Sequence, residues 1–192
     1  YLILTEQECA GKCLMWLRDN VLYHKDELLH HEKAPDIYKV MDRIVSRVPA
    51  GANNVIFTPW LYGERTPVED RHIRSSLFNL SLENTREDIA RAVFEGVALN
   101  QKWLLTYVEK FMKRPFQSLN FIGGGANSDI WSQIFADVFG RKIRQVKDPI
   151  YSNARGAAFL ASMALKYISL EDIPKYVQIK AEYTPNPDNR KL

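Results

Sequence analysis

The sequence predicts an α/β layered domain. Three observations carry this. Short apolar, strand-like runs alternate with segments of helical periodicity. One helix, residues 85–111, is long enough to cross a domain. One strand-like run, LNFIGGG, ends in three glycines and leads into a helix at 128.

Taken in order, ECAGKCLMWLRDNVL (8–22) places Cys9, Cys13, Trp16 and Leu17 at helical spacing. The charged stretch HKDELLHHEKAPD follows and reads as an exposed excursion. PDIYKVMDRIVSRV (35–48) repeats the helical pattern with Ile37, Val40, Met41, Ile44 and Val45. After the turn PAGANN, VIFTPWLYG reads as a strand, with Pro59 near its end, where a missing N–H is tolerated. Residues 63–84 read as an ordered loop. In TREDIARAVFEGVALNQKWLLTYVEKF (85–111), Thr85 and Asp88 have capping-box spacing. Ile89, Val93, Val97, Leu104, Val108 and Phe111 form one apolar stripe. At 1.5 Å per residue this helix would be roughly 40 Å long. KIRQV (142–146) reads as a short strand. ARGAAFLASMALKY (154–167) reads as a helix whose small residues, Gly156, Ala157, Ala158 and Ala161, would permit close packing. The tail AEYTPNPDNRKL is polar, with no structural ending. No internal repeat or low-complexity tract is present.

Composition narrows the function classes. The 192 residues are 46% hydrophobic and 26% charged, which suits a soluble chain able to bury a core. We expect a single domain over 1–192. No apolar run of about 18 residues is present, so no membrane span is expected. The N-terminus YLILTEQECAGK is no signal peptide; it also lacks a starting Met, and we read the chain as a fragment of a longer one. The net charge of +3 is mild and its signs are interspersed. Nucleic-acid binding usually needs a basic face, so no nucleic-acid partner is expected. Two cysteines four apart cannot complete a metal site, and a reduced, cytoplasmic context is the simpler reading. His24, His30 and His31 lie near Glu27 and Glu32, but a solvated face is the expectation there.

The glycine turn is the candidate site. A strand ending in glycines at a helix start presents free N–H groups and the positive end of the helix dipole. Without Cβ atoms, a flat or charged ligand can lie on the backbone. The dinucleotide fingerprint G-x-G-x-x-G is excluded, because counting from Gly123 the last position is Ser128. The next strand also offers no acid. A P-loop is excluded too: beside Gly11-Lys12, Glu6 takes the first glycine position and Cys13 the hydroxyl position. A turn serving only tight strand-to-helix geometry remains the alternative.

Four motifs together carry a resemblance: TPWLYGERTPVED (58–70), NLSLENTREDIARAVFEGVA (79–98), LNFIGGGANSDIW (119–131) and NARGAAFLAS (153–162). In order and spacing they resemble the C-terminal half of FGGY-family carbohydrate kinases, nearest the xylulokinase-like branch. Leu80, Asp88, Ile89, Ala92, Val93, Phe94 and Glu95 fit the family's helix signature; Asn79 stands where Gly is usual. The resemblance implies an actin-like ATPase domain with a ribonuclease H-like core, a three-layer arrangement of sheet flanked by helices. It implies that Gly124 and Gly125 lie under an adenine nucleotide and that Asn127 and Ser128 contact its base or ribose. Gly11 falls at a small-residue position the family often places near the phosphates or adenine.

The implied activity is transfer of a phosphoryl group from ATP to a sugar hydroxyl, with Mg²⁺ held mainly by an absent N-terminal, sugar-side half. The catalytic base is expected there as well, so no catalytic or metal-binding residue is named in this chain. The isolated fragment is expected to be inactive, and a homodimer is compatible with its exposed cleft face. Xylulose is a family-level guess; gluconate, glycerol, ribulose and fuculose also fit. Glu64 and Arg65 could be a catalytic pair, but an ion pair holding the loop near residue 85 is the expectation. Glu95 is expected to be a buried carboxylate satisfied by loop groups. A non-catalytic partner-binding module is the alternative from another class. A different enzyme of the same fold, such as an acetate kinase or a chaperone ATPase, is a third.

Overall fold

The computed structural model describes residues 4–22 and 36–191. The charged excursion with His24, His30 and His31 lies outside them.

Helix α1 (Gly11–Leu17) buries Cys13, Leu14 and Leu17, then continues as a π-helical turn over Arg18–Leu22. Helix α2 (Ile37–Val45) buries Met41 and Val45. Strands β1 (Ile56–Thr58) and β2 (Ser76–Phe78) form an antiparallel pair in which Phe57 faces Leu77. Helix α3 (Arg86–Met112) is the long one. Its capping box is present: the Thr85 side chain accepts from the Asp88 amide, and the Asp88 carboxylate accepts from the Thr85 amide (2.7 Å). Lys113, in the left-handed region (φ 53°), ends it.

Strand β3 (Ser118–Phe121) runs parallel to β4 (Lys142–Val146), with α4 (Asp129–Phe139) as the crossover that parallel pairing requires. After α5 (Ser152–Ala164) and the short α6 (Ile173–Tyr176), β5 (Ile179–Tyr183) returns antiparallel to β4, giving the order β3-β4-β5.

The core sits where α3 and α4 meet the strands. Residues 90–98 of α3 are buried all round. Phe94 and Trp131 stand 5.2 Å apart, and Phe121 and Phe135 4.8 Å apart. The Trp131 indole N–H donates to the Phe94 carbonyl (3.0 Å), so its polar end is satisfied inside the core. Beyond Ala98 the stripe fades, and Phe111 is 70% exposed.

The strands at 118–121 and 142–146 and the helices after 85 and 128 stand where periodicity puts them. β2 lies inside the segment read as loop, and β5 inside the tail read as polar. β5 alternates half-buried and exposed positions, so it carries too little apolar signal to announce itself. Helix α5 departs further: its small residues meet no partner, and none of its residues is buried. It is held through Arg155, which donates to the carbonyls of Lys147 and Asp148, and by the Phe159–Tyr176 ring pair at 6.1 Å.

Candidate functional site

The glycine turn is built from β3 outward. Gly123 takes φ +86°, open to glycine and strained for other residues, and its N–H donates to the Pro149 carbonyl (3.0 Å). Gly124–Asn127 make one 3₁₀ turn, with Ala126 N–H bonded to the Gly123 carbonyl and Ser128 N–H to the Gly125 carbonyl. β4 fixes it from beneath: the fully buried Gln145 amide donates to the Ala126 carbonyl (2.7 Å) and to Asp129 Oδ1 (2.9 Å). Hydrogen bonds from Gln145 and Lys180 hold the Asp129 carboxyl below its ordinary range. Burial, with the Asp129 charge beside it, pushes the Tyr183 phenol up to about 12.

The glycines of this turn differ in what surrounds them. A Cβ on Gly125 would stand 2.5 Å from the Trp131 ring, so its side chain is absent because the indole fills the space. A Cβ on Gly124 would meet nothing within 4 Å, and Gly124 is exposed. Asn127 is exposed beside it. Ser128 is the N-cap of α4: its hydroxyl accepts from the Trp131 amide (3.0 Å) and donates to Asp42 Oδ1 on α2 (2.7 Å). A hydroxyl has one proton, so while Asp42 holds it Ser128 has none to offer a ligand. Burial raises the Asp42 carboxyl, the Ser128 bond lowers it, and Asp129 and Asp36 raise it further.

The structure brings Gly124, Gly125, Asn127 and Ser128 together in this turn and places Gly11 in a second group. Gly11 opens α1, exposed and with free space where a Cβ would be. The segment before it is tied to the 59–66 loop. The buried Glu64 carboxylate accepts from the amides of Glu8 (3.1 Å) and Arg65 (2.9 Å) and from the Asn100 side chain (2.5 Å). The Arg65 guanidinium pairs with Glu6 and Glu8. Glu64 and Arg65 do not form the expected ion pair with each other: Glu64 is held by Asn100 in the middle of α3 and by backbone amides, and Arg65 by the segment at 6–8, not by the start of α3.

Asn100 and Arg91 are among the polar residues missed from sequence, with Asp42 and Gln145. Asn100 also receives the Trp60 indole N–H (3.2 Å), and Arg91 donates to Glu95 (2.7 Å) and to the carbonyls of Val45 (3.0 Å) and Val48 (2.9 Å). The available signal was a polar residue on a helix face otherwise filled with Ala, Val and Phe. Glu95 receives one loop group, as expected, the Gly51 amide (3.1 Å), but its charged partner is Arg91, one turn earlier on the same helix. Burial raises its carboxyl, and Arg91 opposes that. Cys9 and Cys13 are free thiols; burial pushes Cys13 up to about 12. Among the described residues no three His, Cys, Asp or Glu side chains cluster to hold a metal, and no helix is long and apolar enough to cross a membrane.

The signature's departure also has a physical reason. Asn79, standing where Gly is usual, takes φ +63°, and its side chain donates to the Asn54 carbonyl (3.1 Å). Asn is among the residues that tolerate this region best after Gly.

A backbone shelf without side chains at the head of a core helix, behind a parallel strand pair, defines a candidate ligand-binding α/β domain. The description of the FGGY family of carbohydrate kinases, C-terminal domain, fits residues 1–165, and the chain belongs to that family. Its fold is the actin-like ATPase fold of these sugar kinases. The chain is 32% identical over 188 residues to a xylulose kinase of Staphylococcus epidermidis, covering 95% of this chain and 35% of that protein. It is 29% identical over 183 residues to a gluconokinase of Bacillus subtilis, with the same two coverages. A ligand-bound xylulose kinase from Lactobacillus acidophilus superposes with a TM-score of 0.78 at 30% identity, covering 94% of this chain and 34% of that one. The chain thus spans about a third of the length of the curated relatives it matches.

Proposed function

We propose that this chain is the ATP-side domain of an ATP-dependent sugar kinase, and that the turn at Gly124 carries the nucleotide. The observation that supports it is the open space over Gly124, at the head of α4, where a Cβ would meet nothing. Bare backbone there fits a base or ribose, and the helix start favours the negative charge of phosphates. Gly124 is the contact surface, Asn127 the polar partner within reach of the ligand, and Gly125 serves the turn by making room for Trp131. Gly11, which stands apart from this turn, is carried over to the phosphates or adenine on the family resemblance alone.

ATP, when bound, supplies the phosphoryl group for a sugar hydroxyl. The task of this chain is to seat and orient the nucleotide; phosphoryl transfer depends mainly on such positioning and on charge stabilisation. On the family resemblance, the Mg²⁺ and the base that accepts the sugar proton are assigned to a sugar-side half outside this chain. Xylulose or a related pentulose is the substrate we favour, on the likeness to xylulose kinases; the likeness to a gluconokinase keeps the choice at the level of small sugars and sugar acids.

The test compares ATP and ADP affinity of the protein with that of Gly124→Val, by calorimetry. A branched side chain on the shelf should weaken binding by about tenfold or more, the loss that follows from about 1.4 kcal/mol of obstructed contact. Thermal stability should hold, since the space is open. Equal affinity in both proteins rules out a nucleotide over Gly124. Absence of binding to either leaves two readings, a turn that serves only the fold or a turn that needs the sugar-side half to hold ATP, and repeating the test on the full-length chain separates them. Gly125→Val is the wrong probe, because it strikes Trp131 before any ligand.

A further inference from the structure

We infer that Asp42 is a positioning residue for the glycine turn: from α2 its carboxylate fixes Ser128 at the head of α4, and so couples the nucleotide shelf to the placement of α2. The nucleotide half of this inference rests on the reading proposed above; the mechanical half does not.

Asp42 and Ser128 are separated by 86 residues and joined by a hydrogen bond of 2.7 Å. Capping α4 does not need Asp42. The cap uses a lone pair of Ser128 Oγ, which accepts the Trp131 amide. The hydroxyl proton is left over, and α2 supplies its acceptor. What Asp42 adds is therefore the orientation of that hydroxyl and a fixed distance between α2 and the turn.

Stability alone does not account for a carboxylate here. Among the described residues, Asp42 is half-buried, its side-chain partner is one neutral hydroxyl, and the charged groups acting on it, Asp129 and Asp36, are both acids. Such a group loses hydration and gains little in exchange. The turn it serves is short. Ala126 N–H and Ser128 N–H each bond back over three residues, and Gly124 has no side chain to brace it. The lower side of the turn is gripped by Gln145 from β4, and Asp42 grips the exit to the helix. A change in α2 would then be felt at the shelf through one bond.

The experiment uses Asp42→Ala and Asp42→Asn in the same protein. Asn keeps an oxygen acceptor for the Ser128 proton; Ala does not. Amide hydrogen exchange at Ala126, Ser128 and Trp131 is read by NMR against amides of the β3–β4 pair, which report global stability. Asp42→Ala should exchange about tenfold faster at those three sites, with the β3–β4 amides moving less, and Asp42→Asn should stay near wild type. Unchanged exchange in Asp42→Ala overturns the inference. So does an Asn variant as fast as Ala, because the bond would then not be what matters. ADP affinity is read in parallel, with an expected loss of about tenfold in Asp42→Ala and recovery in Asp42→Asn. Full ADP affinity in Asp42→Ala overturns the coupling to the shelf. A full-length chain that binds no nucleotide overturns the function proposed above together with that coupling, while amide exchange still decides whether Asp42 positions the turn.

Discussion

Helices α3 and α5 look alike in sequence and behave oppositely. Each carries a glycine among alanines: Gly96 with Ala90, Ala92 and Ala98, and Gly156 with Ala154, Ala157, Ala158 and Ala161. In α3 every residue from 90 to 98 is buried, and the ideal Cβ of Gly96 would stand 2.2 Å from the Phe57 carbonyl oxygen. In α5 no residue is buried, Leu160 is 66% exposed, and a Cβ on Gly156 would meet nothing within 4 Å. Small residues therefore license close approach without guaranteeing a partner. What separates the two helices is their surroundings. α3 is enclosed by β1, α1, α2 and α4, whereas the small-residue face of α5 is uncovered among the described residues.

The largest test of this contrast is Arg91→Ala. Arg91 is 6% exposed and joins Glu95 to the end of α2 through two carbonyls. Removing it leaves a buried carboxylate with the Gly51 amide and no cation. Breaking a buried pair from one side costs about 3–5 kcal/mol, and chemical denaturation should show a loss of that size. A loss under about 1 kcal/mol would mean that this half of α3 is far wetter than its burial implies. Gly96→Ala comes next. The added methyl meets backbone, which cannot rotate away, so β1 and α3 must separate locally. About 3 kcal/mol should be lost in the same denaturation experiment, despite the better helix propensity of Ala. A neutral result would place α3 and α5 in one class after all.

These effects also mark how far the sequence could be read. α3 was legible because its cap, its length and its stripe agree with one another, and β3, α4 and β4 because a strand, a glycine turn and a helix follow in tight order. The glycine turn at 123–128 was legible as a strand-to-helix turn for the same reason. Its internal division was not: Gly124 and Gly125 are adjacent and identical in sequence, and only the seat of the Trp131 ring separates an open position from a filled one. Asp42 was invisible because its partner lies 86 residues away and its own helix gives it an ordinary polar position. β2 and β5 were missed because three- and five-residue strands with half-exposed side chains leave hardly any period to detect. Asn79 shows the opposite case. A departure from the family signature became intelligible once its φ of +63° was known, since Asn tolerates what Gly was there to provide.

The smallest expected effect is the sharpest, because its sign is opposite. Gly156 lies inside α5, half-buried, with open space at its Cβ position and no positive φ. A glycine in a helix interior costs about 0.5–1 kcal/mol relative to alanine, chiefly through the freedom it keeps in the unfolded chain. Gly156→Ala should therefore stabilise the protein by about that amount and raise its melting temperature by a few degrees. The same substitution that damages α3 would then strengthen α5. Should Gly156→Ala instead destabilise, a surface must approach α5 closely enough to feel one methyl group. That result would mean the helix is covered in the folded protein, and the small residues of α5 would share the purpose of those in α3.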